Sequence, residues 1–286
     1  MKIVVIGADG QLGTDLRKNE TTLIPLTISD IDITNYAQTL EVLSKIAPDT
    51  IINTAAYNKV DEAEDKPEDA IRVNTLGARN LAVSSAKLKA ALVHISTDYV
   101  FSGTKTTPYV ETDIPDPQTA YGISKLAGEQ MVKYLNPKHF IIRTSGLYGT
   151  AGCMGKGGSN FVENIIKKAE SGQQLNIVKD EIVSTTYTLD LARSILDILP
   201  FCSYGIYHIT NDGQSSWYEF TAKIFEYLNM KANIKAISAK ELTLKAKRPQ
   251  FSVLRNAHLL TLGGKNIRNW QDALKAYLIE KGHIKL

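Results

Sequence analysis

With 286 residues, 43% hydrophobic and 22% charged, the chain has an ordinary globular composition and enough length for one large domain or two smaller ones. Its net charge of +3 is spread without a basic block, which argues against nucleic-acid or membrane-surface binding, and no apolar run is long enough to span a bilayer. Two distant cysteines, Cys153 and Cys202, lack metal-ligand neighbours, and Lys2 leads into an apolar run without a signal peptide, so a reduced cytoplasmic setting is expected.

Residues 2–6 form a short β-branched run of the kind that makes a buried parallel strand. Gly7, Gly10 and Gly13 follow at GxxGxxG spacing, and a helical pattern begins at Leu12 and Leu16. Strand, glycine turn and helix in that order predict a dinucleotide site. Gly7 makes the turn, Gly10 lets backbone N–H groups reach a pyrophosphate at the helix N-terminus, and Gly13 permits close helix–strand packing. The second strand, residues 23–26, ends in Thr27-Ile28-Ser29 rather than in a carboxylate for a ribose 2′-hydroxyl. Hydroxyls there tolerate a 2′-phosphate, so NADPH is expected, with NADH left open.

A helix over 35–46 and a strand over 49–53 come next, the strand running into Thr54, Ala55, Ala56 and Tyr57. Small residues at that end let a cofactor lie against the backbone. One continuous helix is predicted over 67–89, a strand over 91–95, and a loop over 102–119 rich in turn residues. A helix over 120–135 places Tyr121 and Lys125 on one face, four residues apart, before a strand over 140–143. A phenol beside an ammonium is a useful acid, because the positive charge favours the phenolate. The regular alternation of strand and helix predicts an α/β fold, a Rossmann-like doubly wound parallel sheet with ligands at the strands' carboxyl ends.

Residues 146–159 are glycine-rich and read as a mobile loop over the substrate or as a linker; Gly155-Lys156 lacks the P-loop spacing. Helices over 160–171, 189–199, 217–228 and 270–281 alternate with short strands over 175–178 and 205–209. The division expected is residues 1–150 for the cofactor and 151–286 mainly for the substrate, with some segments returning to the first part. The basic cluster at 245–249 is either a solvated loop or a clamp for a substrate phosphate. His94 lies in an apolar strand and is expected to be a hydrogen-bonded core residue. The five histidines show no metal spacing.

Four stretches stand in order: GADGQLG at 7–13 with its preceding strand, STDYVF at 96–101, YGISKLAGE at 121–129 and RTSGLYG at 143–149. Together with KRPQFSVL at 247–254 they resemble the dTDP-4-dehydrorhamnose reductase family of extended short-chain dehydrogenases, over nearly the whole chain. The resemblance implies a Rossmann fold with a smaller α/β C-terminal substrate region, and reduction of the C4 ketone of dTDP-4-dehydro-L-rhamnose. It implies Thr97, Tyr121 and Lys125 as the catalytic trio. Gly7, Gly10, Gln11, Leu12 and Gly13 would hold the pyrophosphate side of the cofactor, with Asp32 and Ile33 at the adenine. Ala55, Ala56 and Tyr57 would line its groove, and Tyr121 and Lys125 would meet its nicotinamide end. Thr97, Asp98, Asn160 and Arg248 would contact a nucleotide-sugar substrate.

Gly146 departs from the family's tryptophan, so the pocket there is expected to be wider or filled from elsewhere. Some family members hold Mg²⁺ at a dimer interface. Asp15 matches one such position, Tyr187 stands near another, and no metal is expected; a homodimer stays open. Two rival readings remain. One is another NDP-4-keto-sugar enzyme, an epimerase or dehydratase included. The other is a non-catalytic regulatory subunit of the methionine adenosyltransferase type.

Overall fold

The computed structural model describes residues 1–152, 157–201, 203–263 and 267–285. Cys153, Cys202 and the Gly155–Lys156 pair lie outside the described residues. The chain opens with β1 (Ile3–Ile6), α1 (Gln11–Asn19), β2 (Ile24–Leu26), α2 (Tyr36–Ile46) and β3 (Thr50–Asn53). Two short helices, α3 (Glu62–Asp65) and α4 (Pro67–Ile71), lead through a π-helical stretch, Arg72–Gly77, into α5 (Ala78–Lys87). Then come β4 (Ala91–Thr97), α6 (Ala120–Leu135), β5 (His139–Thr144) and β6 (Leu147–Tyr148). The remainder is α7 (Phe161–Glu170), β7 (Leu175–Val178), β8 (Ile182–Val183), β9 (Thr186–Tyr187), α8 (Thr188–Ile198), β10 (Gly205–His208), β11 (Ser215–Ser216), α9 (Trp217–Leu228), β12 (Ile234–Ile237), α10 (Ala257–Thr261) and α11 (Trp270–Glu280).

Among the described residues, six strands form one sheet in the order β10-β5-β4-β3-β1-β2, every pair parallel. Parallel strands are buried on both faces, which is why β1 reads as an unbroken apolar run. Successive residues of a strand point to opposite faces. Ile3 and Val5 therefore pack with Leu12 and Leu16 of α1 and Leu191 and Ile195 of α8, while Val4 and Ile6 pack with Leu43, Leu81 and Val132 from α2, α5 and α6. The chain order reverses between β1 and β3, which opens a crevice at their carboxyl ends. A separate core joins α7, α9 and α11 around Phe220, Ile224, Trp270 and Tyr277. Among the described residues no helix is long and apolar enough to cross a membrane.

Two predicted elements differ. The helix expected over 67–89 runs without interruption from 67 to 87 but passes through a π-helical stretch, and Lys89 lies beyond its end with φ +59°. Within the stretch lies Asn74, whose buried amide bonds the Tyr57 backbone and Ser124; a wider turn re-aims a side chain without ending a helix. The loop expected over 146–159 is in part ordered: β6 pairs in parallel with β9.

Candidate active site

A cavity of about 420 Å³ opens at the carboxyl ends of the sheet strands, lined by the ends of β4 and β5, the first turn of α6, and α7 and α9. Thr97, Asp98, Tyr121, Lys125, Gln11, Ala56, Asn160 and Arg248 all reach its wall. Tyr121 is brought there by the start of α6, where Thr119 caps the helix by accepting from the Gly122 N–H at 3.0 Å. The Tyr121 ring meets Tyr99 edge to face, 5.6 Å between centroids. One turn on, Lys125 is 2% exposed and its Nζ donates to the Ile95 carbonyl at 2.5 Å. Burial pulls the lysine down to about 8, against the opposing field of Glu129.

Thr97 ends β4. Its hydroxyl donates to Asp98 Oδ1 at 3.0 Å and accepts from the Tyr99 N–H at 3.2 Å. The other oxygen of Asp98 accepts from Ser145 at 2.9 Å. Burial pushes the Asp98 carboxyl up, and hydrogen bonds from the hydroxyls around it oppose that shift. His94, buried earlier on the same strand, meets Asn53 Nδ2 at 3.2 Å through Nδ1 and is held neutral by burial.

The glycine turn fits an anionic cofactor on three observations. Gly7 has φ +76°, and a Cβ on it would meet Thr54 Oγ1 at 2.8 Å and the Ala55 nitrogen at 2.9 Å. A Cβ on Gly13 would sit 2.4 Å from the Gly7 carbonyl oxygen, so α1 lies directly against the turn. Gly10 caps α1 with no side-chain bond, leaving the helix N-terminal N–H groups for an anion, and the buried Gln11 Oε1 has no protein partner. Leu12 and Ile33 place their side chains in the core, so backbone is what they could offer. Asp32 Oδ1 accepts from the Thr34 N–H and hydroxyl at 2.9 and 2.7 Å. At the end of β2, Asp30 binds the Thr27 N–H and hydroxyl, both at 2.8 Å.

Also on the cavity wall, Arg248 donates from Nη2 to Asp61 Oδ2 at 2.5 Å, while its buried Nη1 has no protein partner. Of its basic cluster, Lys245 pairs with Asp65. Asn160 caps α7, accepting from the Glu163 N–H at 3.0 Å, and its amide donates to the Gly149 carbonyl and the Tyr277 hydroxyl. It borders the cavity with its side-chain hydrogen bonds committed to the fold. Gly146, at φ +56°, lies against backbone: a Cβ there would meet the Ser184 carbonyl oxygen at 2.8 Å. The cavity lining also includes an aromatic group, with Phe161 and Trp217 4.6 Å apart between centroids and Phe220 next to them.

Sequence reasoning singles out neither Ser145 nor Glu181, and takes Thr54 only as a residue at a strand end. Thr54 donates to the Ile6 and Gly7 carbonyls and so ties β3 to the glycine turn. Glu181 is buried on the cavity wall, where burial raises its carboxyl and Arg248 opposes the rise. It sits next to Ile182, whose N–H bonds the Gln250 carbonyl at 2.8 Å, and this crossing sets Glu181 near Arg248. No local pattern could mark it. Away from the cavity, Asp15 accepts from Thr188 at 2.5 Å and pairs with Lys18 at 3.0 Å, and Tyr187 bonds Glu280.

Known proteins resemble this chain over nearly its whole length. The model of the RmlD substrate binding domain family matches residues 1–282. The spore coat polysaccharide biosynthesis protein SpsK of Bacillus subtilis is 39% identical, covering 98% of each chain. The dTDP-4-dehydrorhamnose reductase of Aggregatibacter actinomycetemcomitans is 35% identical over 96% of this chain and 97% of its own. The crystal structure of dTDP-4-dehydrorhamnose reductase from Bacillus anthracis, in complex with NADP, is 41% identical and superposes with a TM-score of 0.93 over 98% of this chain and all of its own, 100%.

Proposed function

This chain belongs to the RmlD substrate binding domain family, and from that membership we propose that it is an NADPH-dependent reductase of the C4 ketone of dTDP-4-dehydro-L-rhamnose. It works in nucleotide-sugar biosynthesis, and the cytoplasm is the compartment we assign it. The observation that carries the reading is one cavity holding Thr97, Tyr121 and Lys125 beside the glycine turn of α1.

A bound reduced nicotinamide supplies the hydride for C4. Tyr121 then gives its phenolic proton to the developing alkoxide oxygen. Thr97 turns its hydroxyl from Asp98 to that same oxygen and stabilises the charge. Lys125, with one N–H fixed on the Ile95 carbonyl, keeps two donors for Tyr121 and the cofactor ribose. Its ammonium favours the phenolate that proton transfer leaves behind. Asp98 and Glu181 offer acceptors to sugar hydroxyls, and Arg248 offers its second amine to a phosphate.

The test is NADPH oxidation, followed at its near-ultraviolet absorbance, with dTDP-4-dehydro-L-rhamnose made in situ and NADH run in parallel. Turnover with NADPH is expected; cofactor binding without turnover would overturn the reading. Arg248→Met is expected to raise KM for the nucleotide sugar roughly 10- to 100-fold, the value of a charged hydrogen bond, and to change kcat little. The salt dependence of KM should flatten with it.

A further inference from the structure

Glu129 lies on α6 one turn past Lys125, and the exposures of the two are 1% and 2%. The Glu129 carboxylate is gripped from two strands. Ser96 of β4 donates to Oε1 at 2.5 Å, and Arg143 of β5 donates from Nε to Oε1 at 3.0 Å and from Nη2 to Oε2 at 2.7 Å. Ser96 follows the residue whose carbonyl holds the Lys125 ammonium and precedes Thr97. Adjacent residues of one strand thus anchor an i, i+4 pair of one helix face, directly behind the reacting atoms. Arg143, itself 1% exposed, has its guanidinium carbon 5.1 Å from the centre of the Phe101 ring.

Resting on the reductase reading, and deepening it, we infer that Glu129 is a positioning residue for Lys125: clamped by Ser96 and Arg143, it fixes a negative charge one helical turn away and keeps the buried lysine charged.

A fully buried ammonium is costly unless a fixed opposite charge faces it. The groups around Lys125 leave Glu129 in that role. His94 of β4 is neutral, Tyr99 and Tyr121 are phenols, Arg143 is a cation, and Asp98 sits in a site where burial disfavours its charge. Among the influences on Lys125, burial acts to remove the proton and Glu129 acts to keep it. A carboxylate free to rotate would do this poorly, because a helix-surface pair is weak when its side chains are mobile. The bonds to Ser96 and Arg143 remove that freedom.

The test reads Lys125 directly. Lysine side chains are labelled at Cε, the Lys125 signal is assigned with Lys125→Met, and its pH titration is followed by NMR in the wild type and in Glu129→Gln. The glutamine keeps the shape and loses the charge. The Lys125 midpoint is expected to fall by about one pH unit or more. In steady-state assays the alkaline limb of kcat should move down with it, while KM for the nucleotide sugar stays near wild type. If the unpaired Arg143 prevents folding, the double variant Glu129→Gln with Arg143→Met removes both charges, and a downward shift is still expected, smaller than in the single variant because the repulsion from Arg143 is removed as well. A Lys125 titration that overlays the wild type in the folded variant would overturn the inference. That outcome differs from a failure of the reductase reading, which would appear as a wild type without turnover and with Lys125 still titrating.

Discussion

Tyr121→Phe is expected to lower kcat about 10²- to 10⁴-fold, the usual worth of a positioned general acid. The ring itself should stay in place. Its edge-to-face packing on Tyr99 and the Thr119 cap of α6 do not depend on the hydroxyl. NADPH affinity should therefore remain within a few-fold of wild type, which separates a lost proton donor from a damaged site. The pH profile makes a second check on the same machinery. Lys125 has its ordinary value of 10.5 pulled down to about 8 by burial. In the proposed mechanism the ammonium is the working form, so it is present below that value and lost as pH rises through it. The alkaline limb of kcat should thus fall near pH 8, well before an exposed lysine would titrate. Near-normal turnover in Tyr121→Phe would remove Tyr121 from the mechanism.

Gly13→Ala should act on the cofactor instead. The added methyl would lie 2.4 Å from the Gly7 carbonyl oxygen, 2.7 Å from Ala8 Cα and 2.9 Å from Ala8 C. All three are backbone atoms, so no side chain can swing away to make room. Helix α1 must lift from the turn, and its N-terminal N–H groups move off the anion they would hold. We expect NADPH affinity to drop by about tenfold or more, or roughly 1.4 kcal/mol, read from the enhancement of its fluorescence on binding. Overpacking should also cost about 1–3 kcal/mol of stability, visible as a lower Tm. A folded variant with wild-type NADPH affinity would mean that this turn does not carry the pyrophosphate.

Much of this site is legible in the order of the residues. Tyr121 and Lys125 are four residues apart, and a helix converts that spacing into one face whatever else the chain does. Gly7, Gly10 and Gly13 follow a β-branched strand, and the conformations they permit are local properties of the turn. Thr97 and Asp98 close a strand, where ligands of parallel sheets gather. Each of these signals is contained in a window of a few residues.

The alternation of strand and helix, the glycine turn and the spacing of Tyr121 and Lys125 are thus written locally along the chain. Which distant groups meet was settled only by folding. Residues 205–208 become the sixth strand of the sheet, and α8 covers the sheet face that α1 begins. Asn74, in the π-helical stretch, meets Tyr57 and Ser124. Asn160 has its side-chain bonds committed to capping α7, Gly149 and Tyr277, and Glu181 joins the cavity through a crossing with Gln250. The physical reason is the same in each case. Periodicity and turn chemistry act through neighbours along the chain, whereas these hydrogen bonds and buried pairs join residues far apart in sequence, formed only when the core closes around them.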